Sequence, residues 1–266
     1  MRVSLLQIDV DPQESPQSRR GRVAALVGGQ AGADLVVLPE LWPVGAFAFD
    51  DFEASAESRT DGPTARAMSE AARSAGVWLH AGSIVERAPD GGLFNTSLLF
   101  APDGELAAYY RKVHRFGFDR GEAVLMSPGE EAVTFAAADT VLGLATCYDL
   151  RFPELFRLLV DGGAQVLVVP AGWPARRGAH WRALAVARAI ENQAYVLACG
   201  TAGTHAGVEQ NGHSLVVAPD GAVLAEAGPG EEALTAVLDL PALAEYRESF
   251  PALKDRRLDA GRAQGR

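Results

Sequence analysis

Strand-length apolar runs recur at twelve places along the chain, near 2–9, 34–39, 77–86, 93–101, 105–111, 131–137, 141–147, 165–170, 194–200, 213–218, 222–226 and 233–239. Helical patterns fit only 16–31, 63–75, 153–162 and 178–192, with Pro63 and Pro153 at first-turn positions and Gly76 and Gly162-Gly163 at the stops. This is an α/β pattern with too many strands for one simple three-layer sheet. Two sheets with the helices outside them bury the apolar faces more economically. Ala101-Pro102-Asp103-Gly104 and Ala218-Pro219-Asp220-Gly221 read as hairpin turns whose glycines take positive φ.

One short echo hints at a two-fold plan. Asp34-Leu35-Val36-Val37-Leu38-Pro39-Glu40-Leu41-Trp42 resembles Gln165-Val166-Leu167-Val168-Val169-Pro170-Ala171-Gly172-Trp173, which predicts equivalent strands in the two halves. No Pro/Ser-rich linker or charge block divides the 266 residues, and 48% hydrophobic content supplies an ample core. One domain over 1–258 is therefore expected, with a frayed arginine-rich tail over 259–266. A net charge of −10 argues against nucleic acid and against an anionic membrane surface as partners. No segment reads as a membrane span or a signal peptide, so cytoplasmic residence is expected.

Three reactive side chains stand at the ends of separate apolar runs. Glu40 follows Leu38-Pro39, Lys112 follows Tyr110-Arg111, and Cys147 follows Ala145-Thr146 and opens Tyr148-Asp149-Leu150-Arg151-Phe152-Pro153-Glu154. A thiol where a buried strand gives way to a helix start is held rigidly and faces backbone N–H donors, as a nucleophile requires. Lysine usage sharpens the pattern: of the 24 basic residues only Lys112 and Lys254 are lysine. Lys112 sits between Arg111 and Arg115, where a surface charge could equally have been arginine, and a compact ammonium does chemistry that a guanidinium does not.

The two cysteines form no CxxC or zinc spacing, and Cys199 reads as a small buried hydrophobe. His114 and His180 admit a Cys-His hydrolase with Asp149 orienting the imidazole, but nothing around them resembles the elbows of such enzymes. Asp149 alternatively serves as a helix cap or pairs with Arg151.

Taken together, Leu38-Pro39-Glu40, Tyr110-Arg111-Lys112-Val113-His114 and Thr146-Cys147-Tyr148-Asp149-Leu150-Arg151-Phe152-Pro153-Glu154 resemble the nitrilase superfamily of carbon–nitrogen hydrolases. Asn95-Thr96-Ser97 and the stretch from Pro170 to Tyr195 extend the likeness over roughly 2–258. The resemblance implies a four-layer α-β-β-α sandwich of two mixed sheets, subunits that pair as a homodimer or higher homo-oligomer, and no metal or organic cofactor. It implies catalytic roles for Glu40, Lys112 and Cys147, with Glu122 as a second glutamate and Asp119 as its rival. Tyr148-Asp149 after the cysteine is similar to the amidase side, in particular to ω-amidases and deaminated-glutathione amidases, whose substrates carry a carboxylate remote from the amide. A guanidinium fork reads such a group. Arg151 is the first candidate, with Arg176 or Arg177 behind it, unless Arg151 is spent on Glu154 or Glu191. Trp173 and Phe118 are candidates to line or cover the pocket, and Trp42 reads as rim or core.

The expected reaction is hydrolysis of a small linear amide through a thioester on Cys147, releasing ammonia and a carboxylic acid. Glu40 acts as base, Lys112 and the Tyr148 N–H hold the oxyanion, and a neighbouring ammonium that lowers the thiol pKa, or a base, supplies the thiolate. A nitrile hydrolase or N-carbamoyl amino acid hydrolase of the same superfamily is the enzymatic alternative. An inactive interaction protein that keeps the fold is the alternative of another class.

Overall fold

Each of the twelve expected runs forms a strand in the computed structural model, which describes residues 1–257. The expected tail over 259–266 lies outside the described residues. In chain order the elements are β1 (Arg2–Asp9), α1 (Pro16–Gly28), β2 (Leu35–Val37), α2 (Phe52–Ser55), α3 (Pro63–Ala75), β3 (Trp78–Arg87), β4 (Leu93–Phe100), β5 (Leu106–Arg111) and α4 (Glu122–Leu125). There follow β6 (Val133–Ala137), β7 (Thr140–Leu144), α5 (Pro153–Asp161), β8 (Val166–Ala171), α6 (Gly178–Asn192) and β9 (Tyr195–Ala202). The last are β10 (Thr204–His205), β11 (Val208–Glu209), β12 (Leu215–Val217), β13 (Val223–Glu226), β14 (Glu232–Val237) and α7 (Leu240–Ser249).

Two six-stranded mixed sheets result, ordered β5-β4-β3-β2-β1-β14 and β6-β7-β8-β9-β12-β13. They share a layout. β1 has β2 parallel on one side and β14 antiparallel on the other, and β9 has β8 parallel and β12 antiparallel. The sheets join where the ends of β1 and β9 pair, Ile8 with Thr201 and Asp9 with Ala202. β2 and β8 therefore occupy corresponding places, as their sequence echo suggests.

Strand alternation builds the layers. Leu35 and Val37 of β2 face the core shared with the second sheet, while Val36 and Leu38 face a separate core with Val23 and Val27 of α1 and Met68 and Ala72 of α3. On the far side, Leu155, Phe156 and Leu159 of α5 and Trp181, Ala185 and Ala189 of α6 cover the second sheet. The outcome is α1/α3, sheet, sheet, α5/α6. Pro16, Pro63 and Pro153 all occupy first-turn positions, where the missing N–H costs nothing.

A helix boundary and a whole helix depart from expectation. α1 ends at Gly28 rather than 31 because Gly29 caps it, its N–H donating to the Ala25 carbonyl at 3.1 Å. Helix α7 lies outside the expected helices: Asp239 caps it through the Ala242 N–H and Pro241 sits in its first turn, but Leu243 is its one buried residue, so no apolar stripe marks its length.

Candidate active site

Glu40 is fixed by the chain on both sides of it. The Leu38 N–H donates to the His80 carbonyl at 2.8 Å, the Leu41 N–H to Ser83 Oγ at 3.0 Å, and Trp42 Nε1 to the Ala81 carbonyl at 2.9 Å. Trp42 is thus a core residue rather than a pocket wall. Lys112 continues the β5 pairing through its N–H to the Asn95 carbonyl at 2.9 Å. Glu122 opens α4, and its Oε2 accepts the Phe116 N–H at 2.7 Å.

Cys147 begins a single turn of 3-10 helix over Cys147–Arg151 and has φ of 48°, a left-handed conformation costing about 1–3 kcal/mol that surrounding contacts must hold. Asp149 supplies them. Its Oδ2 accepts the Thr146 N–H and the Tyr110 hydroxyl, each at 2.8 Å, and its Oδ1 accepts the His114 N–H at 3.0 Å and pairs with His114 Nδ1 at 2.8 Å. One carboxylate thereby ties the elbow to the segment carrying Lys112. The His114–Asp149 pair of the Cys-His alternative does exist, but the ring stacks on Phe152 at 3.8 Å and does not line the pocket around Cys147.

Glu40, Lys112, Glu122 and Cys147 line one pocket with about 380 Å³ of empty space. Lys112 Nζ donates to Glu40 Oε1 at 2.6 Å and to Glu122 Oε2 at 2.7 Å. Asn95 Nδ2 donates to both carboxylates, and the Gly172 N–H donates to Glu40 Oε2 at 2.8 Å. Burial alone pushes the Lys112 pKa down, but Glu122 and Glu40 together hold it well above the usual lysine range, so the ammonium stays charged. Glu122 is raised by burial, against the pull of Lys112 and with the help of the Glu40 charge.

The expected drop in thiol pKa does not occur. Burial and then the Glu40 charge push Cys147 well above the ordinary thiol range, and Lys112 offsets only part of this because two carboxylates already face its ammonium. The resting sulfur is a protonated thiol, donating toward the Gly172 carbonyl at 3.8 Å.

Tyr148 lines the pocket, and its N–H is at the second position of the turn, where the helix itself offers no acceptor. Trp173 lines the pocket too, its Nε1 bonded to the Arg177 carbonyl at 2.8 Å. Arg151 and Arg177 reach the pocket, whereas Arg176 does not. Arg151 lies over the Trp173 ring at 4.9 Å and against His180 Nδ1 at 3.4 Å, and Arg177 lies over Phe116 at 5.7 Å. Among the described residues neither forms an ion pair, and Glu191 pairs with Arg188 instead.

Phe118 is a correction. It is 83% exposed and lies outside this pocket, while Phe116, two residues earlier, packs edge-on to Tyr148 at 5.4 Å and forms the wall. Asp119 also lies outside this pocket. The sequence reading missed Phe47 and Ala46 as walls and Gly172 as the donor to Glu40.

The family profile described as Carbon-nitrogen hydrolase matches residues 2–248. The chain belongs to the carbon-nitrogen hydrolase family. A 2-oxoglutaramate amidase of Paenarthrobacter nicotinovorans is 42% identical over 271 residues, covering 99% of this chain and 92% of that protein. Omega-amidase NIT2 of Xenopus tropicalis is 36% identical, with 97% and 95% covered. The crystal structure of Saccharomyces cerevisiae Nit3, a member of branch 10 of the nitrilase superfamily, matches with a TM-score of 0.89 at 33% identity and covers 97% of each chain. The hydrolase is thus an amidase-type enzyme of the nitrilase fold. None of its described helices is long and apolar enough to cross a membrane.

Proposed function

We propose that this hydrolase cleaves the terminal amide of a small linear acid, a 2-oxoglutaramate-like ω-amide, using Glu40, Lys112 and Cys147 with Glu122 in support. The observation carrying this reading is a pocket that joins a thiol, a shared ammonium and two carboxylates to two arginines lacking an acidic partner among the described residues. The names of the relatives support the substrate class.

Glu40 Oε2 takes the Cys147 proton as the sulfur attacks the amide carbon. This order suits a thiol that burial keeps protonated until a base acts. The oxyanion forms against Lys112 Nζ and the Tyr148 N–H, donors of a kind worth about 3 kcal/mol each. Collapse breaks the C–N bond, Glu40 returns its proton to the leaving nitrogen, and ammonia departs from a thioester. Water, deprotonated by Glu40, then releases the acid, and the proton returns to sulfur. Glu122 keeps Lys112 charged and in place, since an unpaired buried ammonium is costly. Arg151 and Arg177 read the remote carboxylate.

Cytoplasmic residence and homodimer pairing are part of the proposal. Two free cysteines fit a reducing compartment, and exposed Leu158 and Ile190 on the outer helices fit a partner there. Ammonia release should be measured side by side from an ω-amide, a nitrile and an N-carbamoyl amino acid, with mass spectrometry of the acyl adduct on Cys147. The ω-amide should turn over fastest, and Cys147→Ala should abolish it in a folded protein. Faster turnover of the nitrile or carbamoyl compound, or substantial activity in Cys147→Ala, overturns the reading.

A further inference from the structure

Beside the substrate pocket lies a broader groove with about 1830 Å³ of empty space, bounded by Val10, Pro43, Phe49, Val124, Leu125 and His205. Among the described residues Phe47 is the one that lines both spaces. Its ring is held from three segments: edge-on to Phe116 at 5.9 Å, against Phe49 at 6.0 Å and against His205 at 6.1 Å. The loop beneath it is seated closely. Gly45 has φ of 102°, and a β-carbon there would lie 2.8 Å from the His205 ring. His205 is 2% exposed, and among the described residues neither ring nitrogen has a hydrogen-bond partner, so the imidazole meets Phe47 as a buried, tilted ring neighbour.

We propose that Phe47 sets the upper length of the substrate chain by walling the pocket off from this groove. The inference rests on the reading above, in which Cys147 fixes the amide carbon and Arg151 with Arg177 fix the carboxylate. With both ends held, extra methylenes must bulge sideways, and Phe47 stands where the bulge would enter the groove. One methylene too many against a hydrophobic wall costs about 10–200-fold in specificity. Removing the wall opens space for that bulge.

The test is kcat/KM on ω-monoamides of linear dicarboxylic acids of increasing chain length, for the full-length protein and its variants. In the unaltered protein the values should fall steeply beyond one length. Phe47→Ala should raise the long-to-short ratio at least tenfold, and Phe47→Trp should move the cut-off to a shorter chain. Leu125→Ala, which alters only the groove, should leave the profile unchanged. Phe47→Trp keeps the test readable if Phe47→Ala fails to fold. Loss by one common factor at every length in the Phe47 variants, or a flat profile in the unaltered enzyme, overturns the proposal. Absence of turnover on every ω-amide in the unaltered enzyme would instead sink the functional reading itself.

Discussion

Gly172 donates its backbone N–H to Oε2 of Glu40 at 2.8 Å, joining two segments that occupy corresponding places after β2 and β8 in different sheets. The bond orients the carboxylate and brings the end of one sheet against the end of the other. The Gly172 carbonyl faces the Cys147 sulfur, so one residue, through its two flanking peptide groups, positions both side chains.

Gly172 must be glycine for a steric reason, because a β-carbon there would collide with the Cβ of Ala46. Relieving the clash shifts the end of β8 away from Glu40, and misplacement of about 1 Å in a reacting constellation costs on the order of 100-fold. Gly172→Ala should therefore lower kcat on an ω-amide by about 10–100-fold while the protein remains folded. Steady-state kinetics alongside thermal unfolding checks this, and unchanged kcat would refute the positioning role.

The Cys147 thiol should carry no thiolate at neutral pH. Thiolate ultraviolet absorbance, taken as the difference from Cys147→Ser, should appear only above pH 9, because burial and the Glu40 charge both disfavour the anion. Glu40→Gln removes the second of these causes and should bring the onset to lower pH. Thiolate already present at neutral pH in the unaltered enzyme would contradict the base role of Glu40.

Acid should destabilise the fold partly through His80. This residue is fully buried, neither ring nitrogen has a hydrogen-bond partner among the described residues, and burial lowers its pKa from 6.5 to about 4. Between those values the unfolded chain binds the proton and the folded one does not, so stability present above pH 6.5 is lost as pH falls toward 4. The loss amounts to about 3 kcal/mol from this group. Urea unfolding at neutral pH and near pH 4 should show a drop in the unaltered protein larger than that in His80→Leu by about this amount. Equal drops would rule out His80 as the source.

Apart from Glu122, which the family resemblance implies, the sequence by itself determined twelve of the fourteen strands, four of the helices, the correspondence of β2 with β8, and the convergence of Glu40, Lys112 and Cys147. Those features are written in short-range patterns: apolar periodicity, prolines at helix starts, and reactive residues where buried runs stop. Tertiary structure decided that Phe116 and Phe47 face the pocket while Phe118 faces solvent, since a loop side chain points wherever segments distant along the chain leave room. It also decided that Asp149 would join the elbow to the lysine segment and that Arg151 and Arg177 would form no ion pair among the described residues. The thiol shows the difference most plainly. A nearby ammonium suggests a lowered pKa, but the outcome depends on how much water the fold removes and how many carboxylates share the cation, and neither quantity exists until both sheets have closed around the site.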